Sequence, residues 1–385
     1  MIFEALDYQT EQPIRIELKG CKISHISKCM KDLPANHYIA PGLVDLQING
    51  FKSVDFNTVG LQVSDVLALT NILLKKGITS YFPTIITNSD ESVESLIEII
   101  ISACESNSKI NDCIGGIHLE GPFLSLEDGP RGAHPKVFIK APNWELFSKW
   151  QEAAKGRIRI ITLSPEWTEA IDFIKRCTKS GVIVSIGHTA ATPGQIKQAI
   201  EAGASMSTHL GNASHTLLPR HHNYVWEQLA SDALWSTLIA DGFHLPDALL
   251  KVFLRTKPNK SILVSDATSY ADLPAGSYSS HIGGDVILDD SGRLFMEHSP
   301  SMLAGSAQSL LWCVNQVVKK NLLSLSEAWD MASIKPTEAL FGKAHNNLEV
   351  GNLADLVIFK LEKNTIKIIK TIKSGSIVFS DSNEF

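Results

Sequence analysis

The chain has 385 residues, of which 44% are hydrophobic and 20% charged, and its formal net charge is -6. Such a composition belongs to a globular protein with a large core and excludes a disordered or fibrous chain. The negative balance, without any long Lys/Arg run, excludes a surface that tracks nucleic-acid phosphates and favours a small soluble ligand.

Residues 1–39 begin without a basic segment followed by an apolar stretch, and no run of about 18 uncharged apolar residues follows anywhere, so a cytoplasmic protein with no membrane span is expected. They carry short β-like runs (FEALDY, RIELKG, KISHIS). Eight continuous apolar runs then recur: APGLVDLQING (40–50), ITSYFPTII (78–86), IGGIHLEGP (114–122), IRIITLSPE (158–166), VIVSIGHT (182–189), MSTHLGNA (206–213), TLIADGFH (237–244) and SILVSDAT (261–268). Unbroken apolar runs describe strands covered on both faces. Helical segments separate most of them, as where Thr192-Pro193 opens QIKQAIEA and Gly203 closes it. Repeated strand-helix alternation predicts a parallel (β/α)8 barrel over 40–349; an open doubly wound sheet would gather its polar residues at one switch point instead of at nearly every strand end. The tail returns to β-like runs (DLVIFK, TIKIIKTI, SIVFS), so residues 1–39 and 350–385 are expected to form one small β domain. Six cysteines (Cys21, Cys29, Cys104, Cys113, Cys177, Cys313) show no CxxC spacing, which predicts buried free thiols rather than disulfides or a thiolate metal site.

Chemistry-bearing residues gather at strand ends. Glu120, His188 and His209 end three different strands, and carboxylate plus two imidazoles suits Zn²⁺ or a similar ion with one position left open. Asp266 ends the eighth strand, where it can move a proton for an attacking water or merely cap the next segment. Gln47 and Asn49 share one face of the first strand but offer only neutral amides, which favours a single ion. His118 shares a face with Glu120 and is expected to orient it by a hydrogen bond. His134, on the loop after the third strand, either polarises a substrate carbonyl or is a surface histidine.

The ordered motifs PGLVDLQING, HLEGPF, GAHP, GHT, THLGNA, IADGFH, SDAT and LAGS resemble the N-acetylglucosamine-6-phosphate deacetylase family of the amidohydrolase superfamily, over residues 40 to about 358. The resemblance implies a (β/α)8 TIM barrel with a small β-sandwich from both termini, usually dimeric. It implies Glu120, His188 and His209 as ligands of one divalent ion (Zn, or Fe, Co or Mn) and Asp266 as catalytic base and acid. By the same resemblance His134 contacts the substrate carbonyl, and Gln47-Ile48-Asn49 marks the single-metal variant. Asn212, Ala213 and His244 then hold the sugar phosphate, Leu303 borders the acyl group, and Arg220 reaches phosphate, often in the neighbouring subunit.

Here the chain departs from the family: Arg220 stands in Leu-Pro-Arg-His-His-Asn without the usual Glu-Pro-Gly sequel, the 120–134 loop is longer and adds Arg131, and Gly211 replaces a bulky residue. The Arg220 cluster suits phosphate or carboxylate first, with a helix cap or a dimer contact as the alternative. N-acetylgalactosamine 6-phosphate, an unphosphorylated N-acyl amino sugar and an N-acyl amino acid therefore stay open as substrates, as does an inactive binding scaffold.

Overall fold

The computed structural model describes every residue except 32, 34, 35, 281–283 and 383–385. All eight expected runs contain strands: Leu43–Ile48, Ile78–Ile86, Ile117–Glu120, Ile158–Leu163, Ile183–Ile186, Met206–Ser207, Trp235–Ile239 and Ser261–Val264. They pair in parallel, each with the next, in one sheet. The sheet closes where Ile48 bridges Ala267, with Asp266 N donating to Gln47 O at 3.0 Å and Asn49 N to Ala267 O at 2.8 Å.

Burial on two faces explains the unbroken apolar runs. Val44, Leu46, Phe82, Ile160, Ile262 and Val264 belong to a cluster made chiefly of strand residues, while a second, larger cluster joins the strands to the helices around them. The helix Pro193–Glu201 starts as its sequence predicts, with Thr192 and Gln195 closing a reciprocal capping box.

Both termini enter one seven-stranded sheet, in the order Ser376–Ser380, Thr365–Lys373, Leu356–Glu362, His37–Pro41, Ile2–Asp7, Pro13–Lys19, Lys22–Lys28. Phe3, Ile16, Ile23, Ile39, Leu356 and Ile372 give it a core of its own. Trp329 fastens this sheet to the barrel: its Nε1 donates to Pro41 O at 2.8 Å and its ring stacks on Phe359 with centroids 4.5 Å apart. Tyr8 reaches across as well, donating to Asp330 Oδ1 at 2.5 Å.

One expectation needs correction. Only Cys104, Cys113, Cys177 and Cys313 are buried; Cys21 is exposed and Cys29 half-buried, because one lies in the turn leading into the outermost strand and the other just beyond that strand. The segment after the eighth strand has structure that the sequence analysis did not anticipate. It forms a four-stranded antiparallel meander, Gly276–Tyr278, Val286–Leu288, Leu294–Met296 and Ser299–Leu303. Its strands are too short for alternation to stand out in the sequence, yet Val286, Leu288, Leu294, Met296 and Ala307 pack as a separate cluster. Gln308 ties the meander to the barrel rim by donating to Gly292 O at 2.9 Å. Among the described residues, no helix is long and apolar enough to cross a membrane.

Candidate metal centre and active site

The barrel brings the strand-end residues together. Glu120 is the last residue of its strand, whereas His188, His209 and Asp266 each lie two residues beyond theirs. These three hold left-handed backbones, with φ of 49°, 30° and 47°. Non-glycine residues rarely adopt that region, and it turns their side chains back over the barrel mouth. His188 Nε2 and His209 Nε2 lie 3.1 Å apart and each sits 3.2 Å from Glu120 Oε1.

His188 Nδ1 is 2.9 Å from Pro130 O. A carbonyl can only accept, so the proton resides on Nδ1 and the Nε2 lone pair points at the cluster. Two imidazole nitrogens and a carboxylate oxygen thus converge in the manner of a three-ligand divalent-ion site. His134 competes for a place, since a ring nitrogen of it lies within 4.8 Å of the donor atoms of Glu120 and His188. Its Nδ1 pairs with Thr87 Oγ1 at 2.9 Å, and the ring meets His188 edge-on, so the closer His209 is the better third donor.

Gln47 Nε2 donates to both Glu120 Oε1 (3.0 Å) and Asp266 Oδ1 (3.1 Å), and Asn49 Nδ2 donates to the same Asp266 oxygen at 2.7 Å. Both amides therefore turn their NH2 groups, not their oxygens, toward the carboxylates. That arrangement suits one ion and disfavours a second beside them. His118 differs from expectation: it bonds Leu46 O at 3.1 Å and Thr162 Oγ1 at 2.7 Å rather than Glu120. From its place on the third barrel strand the buried ring links the first strand to the fourth.

Charges in this buried space are strongly coupled. Burial would raise the Glu120 carboxyl, but the close imidazoles of His188 and His209 outweigh it and hold the group well below the usual carboxylate range. Burial opposes protonation of His209 too, yet its bond to Glu120 leaves it raised. Asp266 is pushed up to about 6, first by burial and then by the Glu120 charge. His134 falls to about 3 through burial and the nearby His188, and so stays a neutral hydrogen-bonding group.

These residues floor a cavity of about 920 Å³. A model of the amidohydrolase family matches residues 38–378. The chain belongs to the amidohydrolase family. Among its relatives, N-acetylglucosamine-6-phosphate deacetylase of Bacillus subtilis is 32% identical over 355 residues, covering 90% of this chain and 86% of that protein. The bovine protein of the same name is 31% identical over 353 residues, covering 89% and 83%. The crystal structure of N-acetylglucosamine-6-phosphate deacetylase from Pasteurella multocida superposes with a TM-score of 0.86 at 28% identity, over 99% of this chain and 100% of that one.

Around the amidohydrolase centre, Asn212, Ala213, His244 and Leu303 all line the cavity, Leu303 from the last strand of the meander. His244 Nδ1 lies 2.8 Å from Asp241 Oδ2, which also accepts from Ser306 Oγ at 3.0 Å. Burial would raise Asp241, but His244 prevails and keeps it low. Arg220 is exposed and does not line this cavity; its carbonyl accepts from Trp226 Nε1 at 3.2 Å. Gly211 is fixed by space as well as by conformation, for at φ +90° an added Cβ would come within 2.9 Å of the Phe253 ring.

Sequence reasoning passed over Thr87, which holds His134, and Asp241, the strand-end acid within IADGFH that holds His244. It also missed His215, a cavity residue that joins two loops through Tyr224 Oη (3.0 Å) and Glu127 Oε2 (2.9 Å). The strand-end position of Asp241 was available as a signal; partners such as Thr87 and Glu127 depend on loop geometry.

Proposed function

We propose that this amidohydrolase removes the acetyl group of an amino-sugar 6-phosphate, N-acetylglucosamine 6-phosphate first among the candidates, giving acetate and the free amino-sugar phosphate. The observation that carries the reading is the convergence of Glu120, His188 and His209 beside Asp266, in a chain whose relatives named above are deacetylases of that sugar phosphate.

Glu120, His188 and His209 would hold one divalent ion, Zn²⁺ before Fe²⁺, Co²⁺ or Mn²⁺. Such an ion, when bound, supplies Lewis acidity toward the amide carbonyl and lowers the pKa of water. Asp266 takes the proton of the attacking water and returns it to the sugar nitrogen as the C–N bond breaks. Its Oδ1 is already held by Gln47 and Asn49, which leaves Oδ2 for that transfer. His134, fixed through Thr87, donates to the carbonyl oxygen as negative charge builds there. Asn212, Ala213 and His244 hold the sugar, and Leu303 borders the acetyl methyl. In this reading the protein is a cytoplasmic homodimer, with the exposed Arg220 directed to the neighbouring subunit's substrate phosphate. Its barrel domain spans 40–349, and 1–39 with 350–385 make the β domain.

Acetate release from N-acetylglucosamine 6-phosphate, N-acetylgalactosamine 6-phosphate and unphosphorylated N-acetylglucosamine tests the reading. A clear preference for the first is expected. Equal rates with and without phosphate would remove the phosphate from it, and no amide hydrolysis by metal-loaded protein would remove the activity.

A further inference from the structure

An anionic sugar phosphate entering this cavity meets the carboxylates of Asp55, Glu120, Asp128 and Asp266. Moving a phosphate out of water beside such groups is costly unless a cation receives it. Arg220 and Arg131 both lie outside the lining, and Arg131 turns its two terminal nitrogens to His134 O (3.0 Å) and Asp128 Oδ1 (2.5 Å). Among the described residues, Arg293 is the one Lys or Arg that lines the cavity.

Arg293 is also held in place. Its backbone is clamped in a tight turn, with N donating to Asp289 Oδ1 at 3.1 Å and O accepting from Asp289 N at 3.0 Å. The preceding carbonyl, Gly292 O, is the one that Gln308 anchors to the barrel. Its guanidinium lies over the Phe295 ring, 4.8 Å from the centroid, and one nitrogen donates to Pro300 O at 2.5 Å. Nε and the other terminal nitrogen carry no partner among the described residues, so donors on a fixed planar fork remain for a ligand.

Position along the meander fits a sugar phosphate. Phe295 stands opposite Leu303, the residue assigned above to the acetyl methyl. Arg293 precedes Phe295 by two residues and folds its guanidinium back over that ring, and both Arg293 and Leu303 line the cavity, so the cation and the acyl wall border the same space.

We propose that Arg293 is the phosphate-binding cation supplied by the chain's own subunit and that it sets the preference for phosphorylated over unphosphorylated N-acetyl amino sugars. The proposal rests on the deacetylase reading. Arg293 positions the anionic end of the substrate and takes no part in proton transfer.

The test compares kcat/KM for N-acetylglucosamine 6-phosphate and N-acetylglucosamine in the metal-loaded wild type, Arg293→Gln, Arg293→Lys and Arg220→Ala. Arg293→Gln should lower the ratio of the two kcat/KM values by about tenfold or more, chiefly through KM for the phosphorylated sugar, and Arg293→Lys should restore part of it. Inorganic phosphate should inhibit the wild type competitively and inhibit Arg293→Gln more weakly. Equal losses on both sugars would reduce Arg293 to a brace for the meander and overturn the proposal, as would an unchanged ratio in Arg293→Gln beside a collapsed one in Arg220→Ala. If Arg293→Gln does not fold, the lysine variant and its phosphate inhibition decide alone, with wild-type values overturning the proposal. A wild type indifferent to phosphate is a different failure, that of the deacetylase reading's substrate, and it takes this proposal with it.

Discussion

Replacing Asp266 by asparagine isolates the proton transfer assigned to it. Asp266 Oδ1 accepts both Gln47 Nε2 at 3.1 Å and Asn49 Nδ2 at 2.7 Å. An asparagine oxygen can keep both bonds, so the exchange alters only the other atom, where an NH2 group takes the place of the oxygen that receives the proton. Alanine would be a poorer probe, because it strips the amides of Gln47 and Asn49 of a buried acceptor at about 1–3 kcal/mol each. A positioned general base is worth roughly 10²–10⁴-fold, or about 3–5 kcal/mol of barrier. Turnover of Asp266→Asn should fall by that factor while metal content and melting temperature stay near wild type. The buried carboxyl it removes is pushed up to about 6 by burial and by Glu120, so at neutral pH no stabilising charge is lost. Acetate release measured beside elemental analysis of the same preparation gives the answer. A metal-replete variant that keeps more than about a tenth of wild-type turnover would refute the base assignment, since even the low end of the range is larger.

Three other outcomes follow from particular contacts. Burial pushes Asp45 up to about 7, against an ordinary 3.8, so its contribution to stability is complete below about 3.8 and is lost as pH rises through about 7. Asp45→Asn keeps an acceptor for Gln47 N and Ser265 N and should flatten the decline in urea-unfolding stability between about pH 4 and 7; parallel curves would show that Asp45 does not hold its proton. His209→Ala should fail to retain a stoichiometric ion through chelation and dialysis, and an unchanged metal content would take His209 out of the ligand set. Trp329→Ala should cost about 3–5 kcal/mol in equilibrium unfolding, because it removes a fully buried ring together with its stack on Phe359 and its bond to Pro41 O; a loss under about 1 kcal/mol would mean that the β domain does not depend on this anchor.

The barrel was legible in the sequence because double burial writes each strand as an unbroken apolar run, and the polar residue at its end marks the mouth. Glu120, His188, His209 and Asp266, which the barrel brings together, were singled out in that way. Two amides in place of imidazoles led to the expectation of one ion, and in the structure Gln47 and Asn49 aim their NH2 groups at the carboxylates. Residues that act from loops were not legible. Thr87 becomes a partner of His134 only when the 120–134 loop folds back over the second strand's end, and His118 turned out to brace Leu46 and Thr162 instead of Glu120. The meander escaped notice because three of its four strands have only three residues each, too few for a period of two to register.

The left-handed backbones of His188, His209 and Asp266 carry a consequence for how this protein responds to selection. Each such residue costs of the order of 1–3 kcal/mol, and glycine would relieve much of it. A library screened for heat resistance alone should therefore enrich Gly at these three positions and steadily lose hydrolysis. Counter-selection for turnover would be needed to keep them, which makes the barrel mouth the place where durability and chemistry pull against each other.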